Sequence, residues 1–309
     1  MLATKRPMVI LDTSAMNALY DDAEGASKLN KLRHAYFPLL TFSVLDELVA
    51  TTDPYRNTQL FELALKIQSA GNCILPFNYL LKNHVHGFLA GTDFDWKRVN
   101  CLGNQLKERI VENRHELSKE LTDQQREQNM QQEREYKEEL KRKRNIVQED
   151  PEWRARFTSF EDFSAFALGV AGPYWKVAIQ LIELAVELER AESLTGDDPL
   201  GSLQATKSSE NLSLDDVVKF ARQCPPFESS LYGIVSSAYS RIHDPLLNRR
   251  ERGKAPGRVD TFMACYLPYC RFFVTNDTGQ FDCYTRVVAK LGLETEVCRY
   301  EEFWTSLPY

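Results

Sequence analysis

The sequence predicts an α/β protein: a mostly parallel sheet covered by helices and interrupted by a large helical insertion. Three observations carry that expectation. Near the N-terminus a short apolar run, Met8 to Leu11, ends abruptly at Asp12 and passes into helical periodicity; near the C-terminus Arg271 to Thr275 does the same before Asn276 and Asp277. Such βα alternation at both ends is the pattern of parallel strands buried on both faces. The middle does not alternate and is dense in Glu, Lys, Arg and Gln. The expected organisation is therefore an N-terminal half over 1–95, a helical, charged insertion over 96–225 and a C-terminal half of the same α/β unit over 226–309.

Each element has its own local reason. Asp12-Thr13-Ser14 offers capping side chains after the first strand, so a helix is expected over Ala15 to Tyr20. Leu39 to Phe42 reads as the second strand, with Ser43 as N-cap of a helix that aligns Val44, Leu45, Leu48 and Val49. A helix over Thr58 to Ala70 stops at Gly71, and Cys73 to Phe77 reads as a third strand. From Trp96 to Arg144 the apolar positions Leu106, Ile110, Leu117 and Leu121 keep helical spacing. Between Leu121 and Leu140 only Met130 and Tyr136 offer packing, which suits a solvated helix or hairpin. Helical periodicity returns over Phe160 to Ala191, broken at Gly172-Pro173; a polar loop over Ser193 to Ser213 leads to helices at Leu214 to Gln223 and Phe227 to Ile242. The last section reads as a basic loop (Asn248 to Arg258), a helix from Asp260, the strand Arg271 to Thr275, a helix near Phe281 to Leu291 and the strand Thr295 to Arg299.

With 309 residues, 43% of them apolar, the chain is long enough for two domains or for one domain with a large insertion, and the arrangement favours the second. A net charge of −6 excludes a protein that grips polynucleotide over its whole surface, so any such contact must be local. The seven cysteines are odd in number, dispersed and never in CxxC spacing, which predicts neither a disulfide framework nor a zinc site and suits a reducing cytoplasm. No signal peptide is expected ahead of Asp12, and Val177 to Leu188, interrupted by Gln180, Glu183 and Glu187, reads as amphipathic, so no membrane association is expected.

In a parallel sheet the ligand crevice lies beyond the carboxyl ends of the strands, so residues just after strands matter most. Asp12 and Asp277 both occupy such positions, Asp260 opens a helix, and Glu47 lies on the first turns after Ser43. Four converging carboxylates would repel one another unless a cation neutralised them. Mg²⁺ or Mn²⁺ suits carboxylate oxygens, lowers the pKa of a bound water and polarises a phosphoryl oxygen. Each acid also has a structural reading: Asp12 and Asp260 as helix caps, Asp277 as an Asx turn, and Glu47 or its neighbour Asp46 as capping-box partner to Ser43.

Taken in order, Asp-Thr-Ser after the first strand, the Glu of SVLDEL, Val-Asp followed by an Ala-containing helix (VDTFMACY) and TNDTGQF resemble the signature of the PIN-like nuclease family. The resemblance covers roughly residues 7 to 80 and 225 to 303 and implies a Rossmann-like three-layer fold. It implies metal binding and catalysis by Asp12, Glu47, Asp260 and Asp277, supported by the hydroxyls of Thr13, Ser14 and Thr275. The implied activity is Mg²⁺- or Mn²⁺-dependent endonuclease cleavage, of RNA before DNA. PIN domains are usually compact, so the insertion is a departure; it is expected to restrict access or to recruit a partner, a second copy of the chain included. An inhibitor protein is a weaker expectation of the same resemblance.

Arg249, Arg250, Arg252, Lys254 and Arg258 lead directly into Asp260 with a single acid, Glu251, among them, which makes this loop the candidate for backbone phosphate. The Lys141 to Arg144 run reads first as a wet surface. His84 and His86 align on a strand but not on a helix, and without a third histidine or paired cysteines they do not predict zinc. The rival functions are a flap-type DNA nuclease using the same acids and a catalytically silent scaffold that binds RNA or protein.

Overall fold

The computed structural model describes residues 6–49, 53–68, 72–91, scattered positions between 127 and 145, and residues 150–169, 172–183, 213–242 and 257–305. The N-terminal section runs β1 (Met8–Leu11), α1 (Thr13–Asp21), α2 (Gly25–Ala35), β2 (Phe37–Thr41), α3 (Phe42–Val49), α4 (Pro54–Gln68), β3 (Asn72–Ile74) and α5 (Phe77–Ala90). Then come α6 (Pro151–Arg156), α7 (Phe160–Ala167), a helical stretch over 175–183, α8 (Leu214–Gln223) and α9 (Pro225–Ile242). The chain closes with α10 (Arg258–Phe262), a 3-10 segment (Met263–Tyr269), β4 (Phe272–Thr275), α11 (Thr278–Leu291), β5 (Glu296–Arg299) and α12 (Tyr300–Thr305).

The five strands form one sheet in the order β3-β2-β1-β4-β5, and every pairing is parallel. From β1 the chain steps outward through β2 to β3, then returns to the other side of β1 for β4 and β5. Right-handed crossovers therefore put the two sets of helices on opposite faces. Alternate residues of β4 show both layers: Phe272 packs on Tyr36 and Phe303 at 5.7 Å each, while Phe273 meets the Tyr284 ring of α11 edge-on at 5.0 Å. The central strands β1, β2 and β4 are largely apolar because both of their faces are covered by helices, whereas edge strand β5 carries Glu296 and Arg299.

A second apolar cluster gathers Leu81 and Val85 of α5 with Phe157, Phe163, Trp175, Phe220, Phe227 and Tyr239. It adjoins the sheet's own core through Phe77 and Tyr232, which pack on both clusters. Gly233 of α9 permits the close crossing between the two: a Cβ there would lie 2.8 Å from both Ala264 Cβ and the Thr261 carbonyl oxygen.

Several sequence expectations move. β2 is Phe37–Thr41, and Thr41 rather than Ser43 caps α3, its Oγ1 accepting from the Val44 N–H at 3.4 Å. The third strand stops at Ile74 because Pro76 cannot extend the ladder and instead caps α5. The helix expected from Asp260 begins at Arg258 and becomes 3-10 at Met263, with Pro268 inside it. Most of the 96–149 stretch and all of 184–212 lie outside the described residues.

Candidate active site

β1 and β4 lie side by side, and their carboxyl ends are where the strand order reverses, the crevice position of an open α/β sheet. The parallel ladder runs one residue past β1, with the Asp12 N–H donating to the Val274 carbonyl at 3.0 Å. Asp12 is thereby fixed at the switch point and caps α1, its Oδ1 accepting from the Ala15 N–H at 2.7 Å. Ser14 donates to the same carboxylate at 2.8 Å, and Thr275 at the end of β4 lies 2.7 Å from Oδ2.

Ser14 also joins the two strand ends. Its Oγ accepts from the backbone N–H groups of Asn276 at 2.7 Å and Asp277 at 3.1 Å. Asp277 in turn caps α11, accepting from the Gln280 N–H at 2.7 Å, and is half-buried. Asp260 sits one turn into α10, where its Oδ2 accepts from the Gly257 N–H at 2.9 Å, the back-bond of a capping box rather than an N-cap.

Two residues that the sequence did not single out link these acids from beneath. Gln280, 1% exposed, lies 2.8 Å through Oε1 from Thr275 Oγ1 and donates through Nε2 to the Tyr284 hydroxyl at 3.2 Å. Tyr284 donates to the backbone carbonyl of Asp260. Thr275 has a single proton for two acceptors, Asp12 and Gln280, so only one of those bonds is donated by it at a time. The sequence signal for Gln280 was its place within TNDTGQF, one turn after the Asp277 cap.

The electrostatics follow from burial. Asp12 is 4% exposed, with no cation bonded to it among the described residues, and burial pushes its carboxyl up to about 6, with a small further push from the charge of Asp260; the bonds from Thr275, Ala15 and Ser14 oppose this. Burial, and then Asp260, also raises the Tyr284 phenol well above its ordinary value, so it serves as a neutral donor.

Glu47 is half-buried on α3, which packs on α1 and α4, while the Asp46 side chain lies outside the described residues. Arg249, Arg250, Arg252 and Lys254 lie outside them too; Arg258 opens α10 but its side chain is not among them. His84 falls on α5, with Nε2 2.8 Å from the Tyr269 hydroxyl, and burial pulls its imidazole down to about 4. Of the basic run, Arg142 is exposed and ion-paired with Glu139 at 2.8 Å.

The donor set fits a hard divalent cation in its chemistry. Asp12, Asp260 and Asp277 offer carboxylate oxygens, the donor type that a hard cation takes, and each also accepts from a backbone N–H. Beside Asp12, Thr13 Oγ1 is buried without a hydrogen-bond partner among the described residues. Among the described residues, however, no three His, Cys, Asp or Glu side chains stand together as a formed metal-binding group. No helix among them is long and apolar enough to cross a membrane. No family model matches the chain, and neither a curated protein nor a solved structure matches it.

Proposed function

We propose that this protein is a PIN-like, Mg²⁺- or Mn²⁺-dependent endonuclease that hydrolyses phosphodiester bonds, in RNA before DNA. The observation that carries the reading is Asp12: a buried carboxylate at the switch point, raised to about 6, bonded by Ser14 and Thr275 and with no cation bonded to it among the described residues. A perturbed acid held in a crevice is a candidate functional group, because catalytic sites use burial and neighbouring charges to shift such groups. When bound, the metal supplies an activated water and polarises the phosphoryl oxygen. The chain's own contribution is placement. Ser14 and Thr275 fix the Asp12 carboxylate, α10 and α11 carry Asp260 and Asp277 toward the same end of the sheet, and Gln280 with Tyr284 ties the two sides together.

Glu47 is assigned the role of an additional ligand or of positioning the attacking water. The loop of Arg249, Arg250, Arg252, Lys254 and Arg258 is assigned the polynucleotide backbone, because it immediately precedes Asp260 in sequence.

A second reading, a catalytically silent scaffold of the same fold that binds RNA or protein, is favoured by one specific observation: the described acids are not gathered into a three-ligand group. Matched RNA and DNA oligonucleotides, single-stranded and branched, separate the readings. Purified protein with Mn²⁺ should cut RNA, EDTA should stop it, and Asp12→Asn or Asp277→Asn should each slow it by about a thousandfold, the several kcal/mol expected of lost metal-assisted charge stabilisation. Binding without cutting selects the scaffold, and cutting confined to branched DNA selects a flap-type nuclease.

A further inference from the structure

We propose that Arg299, at the carboxyl end of β5, is a phosphate-binding residue that holds the substrate strand beside the acids. The inference rests on the nuclease reading. Arg299 is the register partner of Thr275, the residue bonded to Asp12, so its side chain leaves the sheet on the same side, one strand over. Its guanidinium lies 4.3 Å from the centroid of the Phe281 ring, and Nη1 donates to the Asn276 carbonyl at 3.4 Å and the Thr278 hydroxyl at 3.2 Å. These contacts fix the plane of the group without neutralising it, because every partner is uncharged.

The contrast with other cations is direct. Lys28 is paired with Asp22, Arg56 with Asp21, Arg271 with Glu296 and Lys290 with Glu161, whereas among the described residues no carboxylate pairs with the Arg299 guanidinium. Glu302, the nearest acid in sequence, accepts from the Arg299 backbone N–H instead. A stacked guanidinium with unspent N–H donors matches the geometry of a phosphate, and the exposed Asn276 and Thr278 share its rim. β1 and β5 stand two strand spacings apart, about 10 Å. The phosphate at Arg299 is therefore a neighbour of the one presented to Asp12.

The test is fluorescence anisotropy of labelled single-stranded RNA with the full chain across a salt series, using wild type, Arg299→Ala and Arg299→Gln. The glutamine keeps the aliphatic stem and a planar, neutral head, though a shorter one, and serves if the alanine variant fails to fold. Loss of the contact should weaken binding about tenfold, regardless of sequence, and reduce the slope of log affinity against log salt by about 0.7. Under cutting conditions KM should rise with kcat little changed. If wild type binds and cuts RNA and both variants match it in affinity and slope, the proposal is overturned and the nuclease reading stands. If wild type neither binds nor cuts, both fall.

Discussion

At the start of α1, Asp12 is buried among uncharged donors and its carboxyl is pushed up to about 6. Just past the end of the same helix, Asp22 meets the Lys28 ammonium at 2.5 Å, the Tyr300 hydroxyl at 2.8 Å and the Glu24 N–H at 2.7 Å, and is held down at about 2. Residue type and helix are shared; the differences are burial, which raises Asp12, and the bond to Lys28, which lowers Asp22. Lys28 also lies over the Tyr300 and Trp304 rings, so the Asp22 end fastens α12 to the α1–α2 turn. At the Asp12 end no cation among the described residues is bonded to the carboxylate, and the proposed metal would take that place.

The sign of each effect on stability follows. Asp12 binds its proton more tightly folded than unfolded, so its ionisation opposes folding above pH of about 6, and that penalty disappears as pH falls toward 4. Asp22 does the reverse: its contribution is present above about pH 4 and is lost as pH falls toward 2.

Beyond the loss of cutting, the largest expected effect is on Asp12 itself. Asp12→Asn should stabilise the metal-free protein at pH 7.5 by up to about 3 kcal/mol, measured by urea unfolding. Asparagine still caps a helix, and its amide can donate to Thr275, freeing that hydroxyl's proton for Gln280. A destabilised variant would break the comparison, since the carboxylate would then be contributing structure. The next effect is the metal's own: Mn²⁺ at a hundred times its dissociation constant should stabilise wild type by about 2.7 kcal/mol, visible as a thermal shift, and leave Asp12→Asn unmoved. An equal shift in both proteins would place the ion elsewhere.

At the other end, Lys28→Met should cost about 2 kcal/mol at neutral pH through the bond it removes from Asp22, with the difference from wild type shrinking below about pH 4 and vanishing only below about pH 2. A pH-independent loss would assign the role of Lys28 to packing on the rings. The smallest expected effect is Tyr284→Phe, which removes the hydroxyl under Asp260 and should cost about 1 kcal/mol. A larger fall in cutting than in stability would mark Tyr284 as a positioning residue for the acids.

Much of this site was legible in short stretches of sequence. Asp12 and Asp277 could be placed at strand ends because an apolar run followed by a capping residue is a local signal, and both do cap helices. α2 was missed because Leu32 is its only fully buried residue, leaving little periodicity to detect. α5 was detectable, since Phe77, Leu80, Leu81, Val85 and Phe88 recur at helical spacing, but Cys73 to Phe77 read as strand hid its start. The Gln280–Tyr284 link was not legible: an i, i+4 pair shows only that two side chains share a helix face, not that an aspartate from another helix lies beneath them.

The sequence by itself determined the α/β class, the carboxyl ends of β1 and β4 and the order of the acids, because capping and periodicity act within a few residues. Only the tertiary structure decided that β4 returns to lie against β1, which brings Ser14 and Thr275 onto one carboxylate from positions 261 residues apart. It also decided that Asp12 is raised while Asp22 is lowered. Burial and the presence of a neighbouring cation set that sign, and both are properties of what the folded chain places around a side chain.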